Sequence, residues 1–399
     1  MREKLKSLRR EIAAALETAG TPEPGALAAR IDEAVMRLGR EEKLTLAEKT
    51  AARKQLLDSF RGMDILQEAL DDDSVTEIMV NGHGKIFLER GSRMELWHRR
   101  FEEKETLEDV IQLMAAGVNR LVNTSSPIAD LRLEDGSRVS IVLPPAAPEG
   151  PVMTVRKFNR EPFTMEKLVE CGTVSREAAD FLRTAVKVGC NIFISGGTSS
   201  GKTTFLNALS AFIPPEERVI TIEDSLELQL QQLPNLVRLE TRDANLQGEN
   251  RITVRDLIRA ALRMRPNRII VGEVRGEEAL DMLQAMNTGH RGSVSTGHAN
   301  SAQDMLARLE TMVLMGGELP LRAVRSQIAS ALDLLVHLDR GEDGKRRVWE
   351  IREVTDFDGE EIHTEPVFLS EKGKGLARTA RIPYCKGKWP AAGEERPVS

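Results

Sequence analysis

The spacing of apolar residues in the first sixty positions is that of amphipathic helices. Leu5, Leu8 and Ile12 recur at intervals of three and four, which places them on one helix face. A proline-rich break at residues 21–25 separates this helix from a second one, and a third is predicted over residues 45–60. Residues 1–60 are therefore predicted to be a helical segment. Three interpretations of this segment are open: a small bundle, an arm that docks on a partner, or a solvated helical cap.

The pattern changes to short strand-like runs over residues 61–158. Turn signals at Asn81-Gly82 and Gly91-Ser92 separate three predicted strands, and residues 107–121 have the period of a helix. A hairpin is predicted across Asp135-Gly136, because an Asp-Gly step is a strong signal for a tight turn. These elements predict a compact α+β domain, which a linker over residues 159–174 follows.

Strand and helix patterns alternate from about residue 175 to residue 340, and this alternation is typical of a parallel sheet covered by helices on both faces. With a C-terminal hairpin, this domain is predicted over residues 175–370. The strands are predicted at residues 190–195, 218–223, 268–273 and 293–297. A hairpin at the sheet edge is predicted from the runs 334–338 and 347–351. Residues 371–399 hold seven Lys and Arg against three Glu, and they predict a flexible basic tail. Contact of this tail with a membrane surface or a partner is a second interpretation.

A glycine-rich loop stands between the first of these strands and the next helix. It fits G-x-x-x-x-G-K-[ST], the pattern of phosphate-binding loops. Glycines let successive backbone N–H groups point into one concavity at a helix N-terminus, where an anion is favoured. Lys202 adds a cation for the β- and γ-phosphates, and the hydroxyl of Thr203 is a ligand for Mg²⁺. The sequence therefore predicts a site for ATP and Mg²⁺ formed by Gly196, Gly197, Thr198, Ser199, Ser200, Gly201, Lys202, Thr203 and Thr204.

Two acidic residues end strands of the predicted parallel sheet. Glu223 is a candidate general base that accepts a proton from an attacking water, although helix capping or pairing with a basic residue is an alternative role. Glu273 ends an apolar run that is similar to a Walker B strand, with Gly272 where the usual Asp would stand. We expect Glu273 to hold Mg²⁺ through water or to position the nucleophile.

Histidines and arginines supply the remaining candidates. His290 and His298 flank the strand at 293–297, and imidazole can hydrogen-bond a γ-phosphate or relay its loss. A zinc site is not predicted, because further Cys or His ligands are lacking nearby. An arginine that meets the γ-phosphate stabilises charge that grows in the transition state, and we expect two of seven to do so. The seven are Arg132, Arg138, Arg156, Arg242, Arg263, Arg265 and Arg268.

Composition narrows the class of protein. With 399 residues, 41% of them hydrophobic and 30% charged, the chain is long enough for two or three globular domains. It shows no apolar run that would span a bilayer and no signal-peptide core, so we expect a cytoplasmic protein. Three widely spaced cysteines predict no disulfide framework. A net charge of −6 and 4% aromatic residues count against a nucleic-acid-binding surface.

Four sequence boxes in a fixed order resemble those of the type II/IV secretion ATPases. They are similar to the Walker A, Asp, Walker B and His boxes, and they lie at residues 196–204, 222–228 with 262–266, 270–276 and 289–301. Within that superfamily, residues 76–82, 135–139 and 155–158 resemble the CpaF-type ATPases of Flp/Tad pilus assembly. The resemblance covers about residues 60–365. Two departures, Arg291 in place of an acidic residue and a variant loop at 247–250, concern loop contacts and not the catalytic boxes.

The resemblance implies a RecA-like P-loop ATPase domain, a preceding α+β sheet domain and a homohexameric ring. ATP would sit between the two domains of one subunit. Hydrolysis would drive a domain rotation that is passed to an inner-membrane platform protein, so that the ATPase is cytoplasmic and peripherally associated with the inner membrane. Position by position, the resemblance implies phosphate and Mg²⁺ binding by Lys202 and Thr203, a general base at Glu223 and a Mg²⁺ or water-positioning group at Glu273. It also implies γ-phosphate sensing by His290 and His298 and closure over ATP by Arg132, Arg138 and Arg156.

Two other classes of function share parts of this pattern. A nucleic-acid translocase on the same core would need basic channel loops studded with aromatic residues, and conjugation-type DNA transfer machines use closely similar ATPases. A nucleotide-binding scaffold without hydrolysis would have lost its base or its lysine, yet Lys202, Glu223 and Glu273 are all present. We therefore expect a hydrolysing secretion or pilus motor with no nucleic-acid partner.

Overall fold

The computed structural model describes most of the chain, and within it two compact units, residues 1–159 and 160–399. The described residues are Lys4, Leu8, Glu11, Ile12, 26–61, 63–91, 93–118, 120–158, 163–242, 244, 250–341, 343–371 and 375–389. Outside them lie most of the first predicted helix, residues 159–162 of the predicted linker, the variant loop at 247–249 and the last ten residues of the predicted tail.

The N-terminal helices pack on one another. They are α1 (Ala26–Glu41) and α2 (Leu46–Arg61). Their buried apolar residues form one cluster with two residues of the preceding segment, and the cluster comprises Leu8, Ile12, Ile31, Ala34, Val35, Leu38, Ala52 and Leu56. Arg37 adds an ion pair to Glu11 across the helices. The segment thus has an apolar core of its own, which is the packing of a small bundle.

The remainder of the first unit is an antiparallel sheet with two helices. The sheet has the order β3-β2-β1-β6-β5-β4. Its strands are β1 (Val75–Asn81), β2 (Lys85–Arg90), β3 (Arg93–Leu96), β4 (Ile128–Arg132), β5 (Arg138–Val142) and β6 (Val152–Arg156). Helices α3 (Leu66–Asp71) and α4 (Lys104–Gly117) bury their apolar faces in the same core as the sheet. The predicted turn between β4 and β5 is present, with Gly136 at a φ of 90°.

The second unit is built on a nine-stranded sheet of order β15-β14-β13-β12-β7-β11-β10-β8-β9. Its strands are β7 (Ile192–Gly196), β8 (Val219–Glu223), β9 (Leu236–Glu240), β10 (Arg268–Val271), β11 (Val294–His298), β12 (Leu334–Arg340), β13 (Arg346–Phe357), β14 (Ile362–Glu371) and β15 (Gly375–Arg378). Its helices are α5 (Met165–Glu170), α6 (Arg176–Lys187), α7 (Lys202–Ser210), α8 (Val254–Ala261), α9 (Glu278–Asn287), α10 (Ala302–Gly316) and α11 (Leu321–Ala331). No helix among the described residues combines the length and apolar character that crossing a bilayer requires.

Helices cover both faces of this sheet, as its apolar strands require. In β7, Ile192 and Ile194 face the core formed with α5, α6 and α7, whereas Phe193 faces the core formed with α8 to α11. Side chains alternate between the two faces of a strand, so a strand buried on both sides reads as a continuous apolar run. From β12 to β9 the neighbouring strands are parallel, and their carboxyl ends therefore share one edge.

The predicted hairpin at residues 334–338 and 347–351 exists, but its predicted place at the sheet edge is wrong. Strand β12 pairs in parallel with β7 on one side and antiparallel with β13 on the other. Strands β14 and β15 continue the sheet beyond β13. The buried, entirely apolar start of β12 has the burial of a central strand, because both of its faces are covered.

The prediction of a flexible tail from residue 371 is wrong for residues 375–389. Strand β15 pairs with β14, and Trp389 stacks on Phe181 with ring centroids 4.7 Å apart. Buried carboxylates of the core explain the docking, since Glu353 accepts a hydrogen bond from the backbone N–H of Tyr384 at 2.8 Å. Arg381 pairs with Glu353 and Lys388 pairs with the buried Asp333, so these basic residues are partners of the core and not a solvated tail.

Candidate nucleotide-binding site

The loop between β7 and α7 is shaped by close packing and by backbone torsion. A Cβ at Gly196 would collide with the carbonyl oxygen of Leu338 and the hydroxyl of Ser200, so only glycine fits there. Ser199 and Gly201 have φ values of 58° and 94°, in the left-handed region. Left-handed residues next to a helix start turn successive N–H groups toward one point, which is the geometry of an anion site.

Lys202 is the first residue of α7, and its ammonium group is buried inside the loop. It donates to the carbonyl oxygens of Gly196 at 3.1 Å and Gly197 at 2.8 Å. Its Nζ also lies 3.3 Å from Nδ1 of His298. Burial lowers the pKa of Lys202, because a charged amine is less favourable away from water. Thr203 and Thr204 follow in the first turn of α7 and are half-buried.

Glu273 and His298 form a second group beside this lysine. Nε2 of His298 lies 2.8 Å from Oε1 of Glu273, and Arg275 donates to Oε2 of the same carboxylate at 2.7 Å. Burial is the main cause that lowers the pKa of His298, and the charge of Lys202 lowers it further. A neutral imidazole whose Nδ1 accepts from Lys202 near neutral pH therefore lies beside Glu273, whose Oε1 has no hydrogen-bond partner among the described residues.

Glu223 ends β8 with its carboxylate only 3% exposed. Its Oε1 accepts hydrogen bonds from the backbone N–H groups of Glu227 at 2.8 Å and Leu228 at 2.9 Å. Its Oε2 is buried and has no hydrogen-bond partner among the described residues. Burial raises the pKa of Glu223 above its usual range. A Cβ at Gly272 would stand 3.1 Å from Cγ of Glu223, which explains why glycine precedes Glu273.

The match to known proteins covers most of the chain. Residues 61–371 fit the sequence profile of the type II/IV secretion system protein family. The chain belongs to this family. It is accordingly an ATP hydrolase of the secretion class, as the four boxes had predicted.

A protein of Mycobacterium tuberculosis named for conjugal transfer is 33% identical over 332 residues, which are 82% of this chain and 94% of that one. The type IV secretion system protein PtlH of Bordetella pertussis is 35% identical over 318 residues, 72% of this chain and 93% of PtlH.

The fold of the secretion ATPase also agrees with solved structures. The pilus retraction motor PilT with bound ADP superimposes with a TM-score of 0.53 at 20% identity, covering 72% of this chain and 81% of PilT. At that level of identity the likeness concerns the fold alone. The predicted RecA-like fold is confirmed.

The two predicted histidines lie apart in the secretion ATPase. His298 ends β11, whereas His290 precedes this strand and its Nδ1 lies 3.1 Å from the carbonyl oxygen of Ala285 in α9. The length of β11 alone separates the two positions by about 13 Å, at roughly 3.3 Å per residue. His290 thus lies at the opposite end of β11 from His298, and its predicted role as a γ-phosphate sensor stays a prediction.

The predicted arginines divide into two sets. Arg132, Arg138 and Arg156 lie in the first unit on three neighbouring strands, where Arg138 is opposite both of the others. Their role in closing over ATP stays a prediction. Arg268 is only 2% exposed and pairs with Glu217, so it supports the fold of the second unit. An arginine fixed in this way is not available to a phosphate group.

Several residues near the loop were not predicted from the sequence. Arg346 of β13 donates from Nε to the carbonyl oxygen of Ser199 at 2.9 Å. Asp304 and Arg308 of α10 line a cleft of about 580 Å³ that also borders Gly197, Thr198 and His298. A cleft of this size accommodates a ligand such as a nucleoside triphosphate. No motif marks these residues, because their place depends on how distant elements pack.

Proposed function

We propose that this ATPase is the Mg²⁺-dependent motor of a Flp/Tad-type pilus or secretion machine at the inner membrane. The observation that carries the chemistry is the meeting of Lys202, Glu223, Glu273 and His298 at the carboxyl edge of one parallel sheet, where ligands of such folds bind. Three buried polar atoms at this edge, the hydroxyl of Ser200, Oε2 of Glu223 and Oε1 of Glu273, lack a hydrogen-bond partner among the described residues. They fit a polar ligand.

The loop would hold the phosphates of ATP, with the ammonium group of Lys202 between the β- and γ-phosphates. Mg²⁺ would be held by the hydroxyl of Thr203 and, through water, by Glu273. These oxygen groups suit Mg²⁺, which takes few protein ligands alongside phosphates and water. When bound, the ion neutralises charge that develops on the transferred phosphoryl group.

Glu223 is the proposed general base. A water oxygen attacks the γ-phosphorus, its proton passes to Oε2 of Glu223, and the bond to the bridging oxygen breaks with its electron pair on ADP. The raised pKa of Glu223 makes the carboxylate a better proton acceptor than an exposed one. Its other oxygen is fixed by two backbone N–H groups, so the free oxygen keeps its direction.

His298 is the proposed sensor of the γ-phosphate. Its ring connects the ammonium group of Lys202 to the carboxylate of Glu273. Phosphate bound at Lys202 would draw the ammonium away from the loop carbonyls and from Nδ1 of His298. The ring would then pass the presence or loss of the phosphate to Glu273.

The Flp/Tad subclass is supported by where its three motifs lie. They occupy β1, the β4–β5 turn with the start of β5, and the end of β6, and β1, β6 and β5 are adjacent in the sheet. The backbone N–H of Phe158 donates to the hydroxyl of Ser137 at 3.2 Å, which joins two of the motifs directly. We further propose a homohexamer that acts from the cytoplasmic face on an inner-membrane platform protein, with Arg132, Arg138 and Arg156 closing over ATP.

A DNA transfer machine is the second candidate, because one relative is named for conjugal transfer. ATP turnover and mass in solution separate the candidates, each measured with and without Mg²⁺-ATP and with and without DNA. A hexamer whose Mg²⁺-dependent turnover is indifferent to DNA supports the pilus or secretion motor. Strong stimulation of ATP turnover by DNA would instead support the DNA transfer ATPase. A monomer whose turnover does not depend on Mg²⁺ would contradict both.

A further inference from the structure

The β12–β13 hairpin forms the support on which the phosphate loop rests. Nδ1 of His337 lies 2.9 Å from the hydroxyl of Ser195, and both side chains are buried. One residue further along each strand, Leu338 pairs with Gly196, and the backbones approach so closely that no side chain fits at Gly196. The start of the loop is therefore packed directly against the hairpin.

A β-bulge in β13 sets the direction in which the far end of the hairpin extends. His337 pairs with Glu350 and Leu338 pairs with Val348, so Trp349 is an extra residue on β13. A bulge bends its strand and increases the local twist. Beyond it, the hairpin holds Arg346 where its side chain reaches the middle of the phosphate loop.

Arg346 holds the part of the loop that has unusual torsion. Its Nε donates to the carbonyl oxygen of Ser199 at 2.9 Å, and a Cβ at Gly201 would stand 3.3 Å from its Cδ. Ser199 has a left-handed φ of 58°, which is uncommon outside glycine and needs support from its surroundings. The peptide unit after Ser199 is thus fixed by a charged donor from another element.

We propose that Arg346 is a positioning residue for the phosphate loop. By holding the Ser199 carbonyl toward the hairpin, it keeps the following N–H groups directed at the phosphates. This inference rests on ATP binding at the loop, which is part of the proposed function. Because these N–H groups would contact the β-phosphate, which ATP and ADP share, Arg346 affects binding of both nucleotides and leaves the chemical step unchanged.

Arg347 provides a matched control on the same strand. Its guanidinium pairs with Asp343 in the hairpin turn. Successive side chains of a strand point to opposite faces, so Arg347 is directed away from the face that Arg346 presents to the loop. Removing either arginine deletes one exposed or half-exposed cation, but Arg346 donates to the loop whereas Arg347 pairs with Asp343.

Equilibrium binding of ATP and ADP to the full chain tests the proposal, with steady-state turnover as a second readout. We expect Arg346→Ala to lower the affinity for both nucleotides about tenfold, which is the effect of one lost hydrogen bond from a charged donor. The kcat should be unchanged within about threefold. Arg346→Lys should recover most of the affinity, because an ammonium group can still donate to the carbonyl. Arg347→Ala should bind as the wild type does.

Three results would overturn the inference. They are binding by Arg346→Ala within twofold of the wild type, a loss confined to ATP, and an equal loss in Arg347→Ala. A loss confined to ATP would place the guanidinium at the γ-phosphate instead of behind the loop. If Arg346→Ala also has a lower melting temperature, Arg346→Lys decides between a folding defect and the proposal. An Arg346→Lys variant that is folded but binds nucleotide as weakly as Arg346→Ala contradicts the proposal. A wild-type chain that binds no nucleotide would be a failure of the proposed function itself.

Discussion

At the scale of single residues, Lys202 and Glu273 have separate tasks although His298 connects them. Lys202→Ala removes a cation that meets bound phosphate, so we expect ATP affinity to fall about a hundredfold. Glu273→Gln keeps the shape of the site, so we expect binding to persist while turnover falls about a hundredfold or more, because this carboxylate acts chiefly in the transition state. Equilibrium binding and single-turnover rates measure the two effects. Equal loss of binding in both variants would refute this division.

The acid side of the pH profile belongs to His298 in our interpretation. Its pKa is lowered below 6.5, so the ring is neutral at pH 7 and accepts from Lys202. As the pH falls through this pKa, the protonated ring can no longer accept and repels the ammonium group, so activity is lost. We expect His298→Gln to have a lower kcat and an acid limb shifted to lower pH, because the variant has no imidazole to protonate. An unmoved limb in a profile from pH 5 to 8 would assign the titration to Glu223.

The residues of the phosphate loop were predictable because their spacing is local. The backbone of one short segment forms the anion site, so a run from Gly196 to Thr204 suffices to indicate it. Glu223 was predictable as the end of a strand of the parallel sheet, and Glu273 lies two residues after the end of another. Arg346 was not, because its contact depends on the register of β13 against β12 and on the pairing of β12 with β7. No short-range pattern encodes that pairing.

At the scale of elements, the C-terminal segment compensates charges buried in the core. Asp333, at the start of β12, is fully buried and pairs with Lys388. We expect Lys388→Ala to lower the free energy of unfolding by about 3 kcal/mol, because it leaves a buried carboxylate with Lys386, 4.0 Å away, as its remaining charge partner among the described residues. Urea unfolding measures the change, and Lys345→Ala in the exposed hairpin turn is the control.

A double variant makes this prediction sharper. In Asp333→Asn the buried charge is absent, so removing Lys388 from that background should cost much less than it does in the wild type. An equal cost in both backgrounds would show that the two side chains are not coupled.

Elements differed in how well the sequence predicted them. Strands β7, β8, β10 and β11 are buried on both faces and were recognised, although β10 ends at Val271, two residues earlier than predicted. Strand β9 was missed because charged residues interrupt its short apolar run, Leu-Val-Arg-Leu-Glu, and none of its residues is fully buried. Strands β14 and β15 were missed for a related reason: they extend the sheet outward, where one face is exposed and polar residues are frequent.

At the scale of the whole molecule, binding and turnover should separate between the two units. Residues 160–399 contain Lys202, Glu223, Glu273 and His298 and have an apolar core of their own. We expect this unit alone to bind ATP within about tenfold of the full chain and to turn it over at least about a hundredfold more slowly, because the proposed arginines lie in the first unit. Turnover by residues 160–399 at the rate of the full chain would show that Arg132, Arg138 and Arg156 take no part in the reaction.

The place of β12 beside β7 also sets the order of events while the chain is being made. Ser195 and His337 are partners across 142 residues, so the strand that carries the phosphate loop stays uncovered on one side until β12 has left the ribosome. At about 5–20 residues per second, that interval lasts roughly 7–28 s. A nascent chain that ends before residue 334 carries the whole phosphate-loop motif and still has no support for it. The capacity to bind nucleotide is thus acquired late in synthesis, long after its signature has been translated.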